Sequence, residues 1–130
     1  MSNSDKEFNM LLDDNVIEIK TKYVEMTGDI VVGLVLNEIV DYFIHTAERF
    51  FIEKEDKKWM VRTKDEWNED CMITNKQLDQ SLKVLRNKGI IETKIFRYHG
   101  YLLTHINLNT DVFMDLLNKL YEDEISKKSV

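Results

Sequence analysis

Apolar and polar residues alternate with different periods along this chain, and each change of period marks an element. Val16 to Lys20 (VIEIK) alternates apolar and charged residues, the period of two that predicts a short strand. From Gly28 to about Phe51 the apolar residues Ile30, Val31, Val32, Leu34, Val35, Leu36, Ile39, Val40, Phe43 and Ile44 cover more than one helix face. β-Branched residues make a buried strand the competing reading, but the length and the spacing Leu36, Ile39, Val40, Phe43 favour one long helix. Such a helix sits centrally, or is shared between the core and a subunit interface. Thr27 is its expected N-cap, with Asp29 in the first turn. Glu53 to Lys58 (EKEDKK) reads as a charged loop, and Trp59 to Arg62 as a short extended piece. Near the end, Val112, Phe113, Leu116, Leu117, Leu120 and Tyr121 recur at helical spacing from Asp111 to about Ile125, with Thr110 as candidate cap.

The stretch from Thr63 to Leu108 has the densest signals. Thr63-Lys64-Asp65-Glu66 is a capping box, in which the threonine hydroxyl accepts from the Glu66 amide and the glutamate reaches back. The helix it starts carries Trp67 inward and ends near Cys71. Thr74-Asn75-Lys76-Gln77 is a second capping box, so a sharp turn is expected between two helices, with Met72 and Ile73 buried at the corner. The second helix places Leu78, Leu82 and Leu85 on one face, and Lys76, Gln80, Lys83 and Asn87 opposite. Gly89 suits the left-handed position after its end, where Ile90 can fold back on Leu85. Ile90 to Phe96 is β-rich, Arg97-Tyr98-His99-Gly100 is a turn, and Tyr101 to Leu108 returns with Leu102, Thr104, Ile106 and Leu108 expected to face inward. Helix, tight turn, helix and hairpin in this order predict a winged helix-turn-helix, mainly α with a small antiparallel β wing (α+β). The long preceding helix and an added C-terminal helix complete the expectation.

Length and composition narrow the class. With 130 residues and no proline, repeat or low-complexity tract, the chain reads as one domain. Its expected parts are an N-terminal arm (1–15, with Phe8, Met10, Leu11 and Leu12 as its apolar cluster), a core (16–109) and a terminal helix (110–130). The longest apolar run, Ile30 to Leu36, is too short to span a membrane, and MSNSDKEFNM lacks the basic and apolar regions of a signal peptide. The single cysteine, Cys71, has no partner for an internal disulfide or metal knuckle, which fits a reducing cytoplasm and a small buried apolar role. No membrane partner and no cofactor are expected.

Net charge of −6 argues at first against nucleic acid. Its distribution reverses that argument. Residues 1–56 carry a balance of −8 and residues 110–130 one of −2, whereas residues 57–109 carry +4. Positive charge is therefore concentrated in the helix–turn–helix–hairpin stretch, where double-stranded DNA would need it. The excess is modest, so a homodimer is expected to supply a second set of contacts.

The exposed chemistry points the same way. Lys76 and Lys83 suit phosphates or guanine acceptors, while Asn75, Gln77 and Gln80 suit paired bonds to adenine. Lys94, Arg97, Tyr98 and His99 at the wing suit backbone contacts or the minor groove. Asp79 sits amid this face and opposes it. Catalysis is not expected: His45, His99 and His105 lack metal-ligand spacing, and Gly28, Gly33, Gly89 and Gly100 are isolated rather than forming a phosphate loop. The competing expectation is a protein-interaction module, a homodimer or adaptor on the same scaffold that no longer touches DNA.

Trp59, Thr63-Lys64-Asp65-Glu66-Trp67, Ile73-Thr74-Asn75-Lys76-Gln77 and Leu85-Arg86-Asn87-Lys88-Gly89-Ile90-Ile91-Glu92 also carry a family resemblance. Together they resemble winged-helix proteins of phages and mobile elements of Gram-positive bacteria, including the N-terminal domains of replisome organisers and replication initiators. The resemblance covers roughly residues 16–109 and includes the upstream strand and long helix. It implies DNA binding through Asn75, Lys76, Gln77, Gln80 and Lys83, in replication or transcription control. It also implies a replication or regulatory protein partner. The chain departs from the family in lacking a large C-terminal domain for recruiting a helicase loader, so a small accessory or regulatory protein is the expectation.

Overall fold

A computed structural model of the chain describes residues 5–7, 9 and 16–128, and reveals an α+β fold. The apolar cluster Phe8, Met10, Leu11 and Leu12 of the N-terminal arm lies outside the described residues.

The segment Val16 to Lys20 is not a strand. Its backbone is bonded by a side chain instead: the Asn37 amide donates to the Glu18 carbonyl at 2.9 Å and accepts from the Lys20 N–H at 3.2 Å. An amide that both donates and accepts can replace a neighbouring strand for two backbone groups.

The long helix expected from Gly28 to about Phe51 is present but ends earlier, as α2 (Ile30–His45). A helix that was not expected, α1 (Thr21–Thr27), precedes it and joins it at Gly28, whose φ of 76° lies in the left-handed region. Thr27 ends α1 rather than capping α2, and its hydroxyl donates to the Tyr23 carbonyl at 2.8 Å. The cap of α2 is Asp29, which accepts from the Val31 and Val32 amides at 2.8 and 3.1 Å. After His45 a short 3₁₀ turn, Glu48–Phe50, leads to the sheet. The α1–α2 crossing is tight, because a Cβ on Gly33 would lie 2.8 Å from Val24 Cγ2.

The charged stretch expected as a loop is a hairpin of β1 (Ile52–Lys54) and β2 (Lys57–Val61). Glu55 and Asp56 turn it with φ of 56° and 59°, the both-positive geometry that matches strand twist. Ile52 pairs with Trp59, and the Trp59 indole donates to the Lys54 carbonyl at 2.9 Å. Buried anchors on the second strand thus override the solvated look of EKEDKK.

Next come α3 (Lys64–Cys71) and α4 (Asn75–Asn87), both starting with the expected capping boxes. Between them Ile73 is buried, but Met72 is 85% exposed. With φ of 56°, Met72 is the left-handed residue of the turn, and that conformation swings its side chain outward. The α4 end is a Schellman motif: the Gly89 N–H donates to Arg86 O at 2.9 Å and the Ile90 N–H to Leu85 O at 3.1 Å.

Strands β3 (Ile91–Tyr98) and β4 (Tyr101–Leu108) form the second hairpin, turned by His99 and Gly100 at φ 48° and 84°. The sheet is antiparallel with order β1–β2–β4–β3. One face buries Met60, Ile91, Ile106 and Leu108 against the helices. Leu102 and Thr104 share that face in register but are exposed, correcting the expectation that they face inward. Both line an open cleft between β4 and the two helices of this stretch, so the alternation there leaves them in contact with solvent. The opposite face carries a second layer in which Phe96 stands 5.2 Å from Trp59 and 5.1 Å from His105, ring to ring.

The last helix, α5 (Thr110–Lys128), is capped by Asn109 rather than Thr110, since Asn109 Oδ1 accepts from the Val112 amide at 3.2 Å. It packs on α1 through Tyr23 and Phe113, whose rings are 5.5 Å apart, and through a Lys22–Glu124 ion pair at 2.9 Å. The centre of the fold holds Val35, Leu36, Ile39, Met60, Trp67, Leu85 and Ile90, all buried. Each such aliphatic side chain contributes about 1.5–3 kcal/mol of burial. No helix among the described residues is long and apolar enough to cross a membrane.

Candidate functional site

The α4 helix is the element whose two faces differ most. Leu78, Ser81, Leu82 and Leu85 are buried, and every side chain on the outward row is polar. That row is Lys76, Gln80, Lys83 and Asn87, spaced so that all four project within one narrow sector of the helix.

The polar groups flanking this row are tethered to neighbours. Asn75 Oδ1 accepts from Asn68 Nδ2 at 3.0 Å, and Asn68 also donates to the Ile73 carbonyl at 2.8 Å. Gln77 Oε1 accepts from the Thr74 amide at 2.8 Å, closing the capping box. Asp79 pairs with Lys64 of α3 at 3.4 Å. Arg86 Nη1 donates to Thr93 Oγ1 of β3 at 3.2 Å. By contrast, the side chains of Lys76, Gln80, Lys83 and Asn87 make no hydrogen bond or ion pair among the described residues.

Of the nine residues expected to form the site, the structure brings three, Lys76, Gln80 and Lys83, into one unengaged row. Asn75 and Gln77 are exposed but spend their amide oxygens on the turn and the cap. Arg97 is exposed at the hairpin end, where Nη1 donates to Gly100 O at 3.5 Å, and His99 is exposed in the turn. Tyr98 is half-buried, with its ring 4.2 Å from His99. Lys94 is elsewhere: register places it opposite His105, on the sheet face turned away from the helices. There it pairs with Glu55 and, at 3.7 Å, with Glu92. The Glu55 bond is the main reason its ammonium titrates above the ordinary lysine value. Glu92 is held below the ordinary carboxylate value, chiefly by its bond to Lys57.

The ion pairs of the molecule therefore sort the cations. Lys57, Lys58, Arg62, Lys64 and Lys94 are all committed to carboxylates. The cations of α4 and its end, Lys76, Lys83, Arg86 and Lys88, have no carboxylate partner among the described residues. Asn87 and Lys64 belong to this picture and were not among the residues expected to form the site. The spacing of Asn87 from Lys76, Gln80 and Lys83 carried its signal in the sequence; the Lys64–Asp79 contact had none.

Cys71 is buried and inert. Burial first, and a bond to Glu38 Oε1 at 3.3 Å second, push its thiol up to about 12. His105 is fully buried on the far sheet face, with Nδ1 2.9 Å from Leu103 O and Nε2 lacking a partner among the described residues. His45 is exposed beside Asp41 at 3.3 Å.

Compared with protein-family models, curated proteins and solved structures, the chain gives no match.

Proposed function

We propose that α3, α4 and the β3–β4 hairpin form a winged helix-turn-helix that binds double-stranded DNA. In this reading the segment 75–88, α4 with the Lys88 that ends it, enters the major groove, and the hairpin segment 94–101 lies alongside it, with Arg97 and His99 toward the backbone. The chain is non-enzymatic and cytoplasmic. It acts in replication or transcription control, and the resemblance of its motifs to phage replisome organisers and initiators supports an origin in a phage or mobile element. Two copies act together, because one copy presents few cations.

The observation that carries this reading is the row Lys76, Gln80, Lys83 and Asn87, exposed and unengaged, whereas Lys57, Lys58, Arg62, Lys64 and Lys94 are paired with carboxylates. A helix of 13 residues is about 20 Å long, which suits the span of a major groove about 12 Å wide. Lysines offer phosphate or guanine contacts, and Gln80 and Asn87 offer paired donor and acceptor groups to adenine.

Binding of random duplex DNA at about 50 and about 200 mM salt tests this, with wild type beside Lys76→Glu/Lys83→Glu. The expected result is binding at low salt that falls steeply with salt, weakened at least about tenfold in the double variant with a shallower salt slope. Equal affinity and equal slope in the two proteins would remove α4 as the contact surface and leave the interaction-module reading. Light scattering reports the number of copies.

A further inference from the structure

Asp79 lies one helical turn from both Lys76 and Lys83, at separations whose side chains readily meet on a helix surface. Its carboxylate turns away from both. Oδ2 is 3.4 Å from Nζ of Lys64, the first residue of α3, so the pair bridges two helices rather than closing on α4. The two side chains are 54% and 59% exposed, so the pair adds little to stability. What it changes is the position of a negative charge. Asp79 and Lys64 line the cleft between α4 and β4, together with Leu78, Leu82, Leu102 and Thr104. The Lys64 bond draws the carboxylate to that hairpin side of α4.

We propose that Lys64 is a positioning residue for the α4 face: it engages Asp79 and so leaves Lys76 and Lys83 free for phosphate oxygens. The inference rests on DNA binding by α4. Without Lys64, the carboxylate has two lysines of its own helix within reach, one on each side. Pairing with either neutralises a cation of the row and sets a charge of the wrong sign closer to the DNA. Lys64 then acts on affinity through Asp79, and its removal costs nothing further once Asp79 is uncharged.

A double-variant cycle reads this directly, using wild type, Lys64→Gln, Asp79→Asn and the combined variant with a random duplex at low salt. Lys64→Gln is expected to weaken wild type two- to threefold more than it weakens Asp79→Asn, the size expected of an exposed pair. Asp79→Asn alone binds more tightly, Lys64→Arg binds like wild type, and thermal midpoints stay level across the set. Equal weakening by Lys64→Gln in both backgrounds overturns the inference and makes Lys64 a direct phosphate contact or a bystander. Loss of binding in Lys64→Arg equal to that in Lys64→Gln also overturns it. If wild type itself fails to bind, the DNA-binding reading falls and this inference falls with it. If wild type binds and Lys76→Glu/Lys83→Glu weakens it, but the cycle shows no coupling, this inference alone falls.

Discussion

Replacing Gly33 with alanine should destabilise the protein, although alanine is the better helix former. Gly33 lies inside α2, where a glycine costs roughly 1 kcal/mol relative to alanine. What requires it there is α1. An added Cβ would meet Val24 Cγ2 at 2.8 Å, Cα at 3.0 Å and N at 3.1 Å, and the last two are backbone atoms that no rotamer change can move. The two helices must separate by several tenths of an ångström, and overpacking of this kind costs about 1–3 kcal/mol. Subtracting the propensity gain leaves a net loss of about 1 kcal/mol, with a thermal midpoint lower by about 3–6 °C for a domain of this size. Urea unfolding followed by tryptophan fluorescence measures it well, because Trp59 and Trp67 are 0% and 1% exposed and report loss of the core. Adding Val24→Ala should recover only part of the loss, since the Cα and N contacts persist. A Gly33→Ala protein as stable as wild type, or more so, would refute the close α1–α2 crossing.

Three further outcomes follow from single residues. Met72→Gly should raise stability by about 0.5–1 kcal/mol in the same assay, because a left-handed residue that is 85% exposed loses strain and almost no burial; a fall in the urea midpoint would count against it. His105→Phe should be neutral or stabilising by about 1 kcal/mol, since losing the bond to Leu103 O is offset by removing a buried, unpartnered Nε2; a loss well above that size would show Nε2 to be satisfied. Cys71 should resist alkylation at pH 8 in the folded protein and react fully in urea, read by mass spectrometry, because its thiol is pushed up to about 12. The same shift sets a sign: above the ordinary value of 9.0 the unfolded thiol ionises while the folded one stays neutral. Stability from this group is thus full below pH 9 and is lost as pH rises toward 12, a loss that Cys71→Ala should abolish.

Legibility varied along the chain with the reach of the forces involved. Both capping boxes, the boundaries of α3 and α4 and the Gly89 exit were readable, because each depends on groups within a few residues of one another. The β3–β4 hairpin was readable for the same reason, although how deeply each residue is buried was not. Readings failed where a distant element supplied the deciding partner. VIEIK has a strand pattern, yet Asn37 of α2 takes its backbone bonds. EKEDKK has a loop composition, yet Trp59 anchors it as a strand. Among site residues, exposure of the α4 row followed from helix periodicity. Which flanking groups are tied down did not, since Asn68, Lys64 and Thr93 come from other elements.

By itself the sequence determined the helix–turn–helix–hairpin order, the apolar and polar faces of α4 and the concentration of positive charge in that stretch. These are properties of local dihedral preference, periodicity and composition, and no third element is needed to define them. Only the tertiary structure decided that α1 crosses α2 closely at Gly33, that Lys94 faces away from α4, and that Asp79 answers to Lys64. Those outcomes depend on which surfaces meet in space. A carboxylate with three lysines within reach has no preferred partner until the packing of α3 against α4 brings one of them to 3.4 Å.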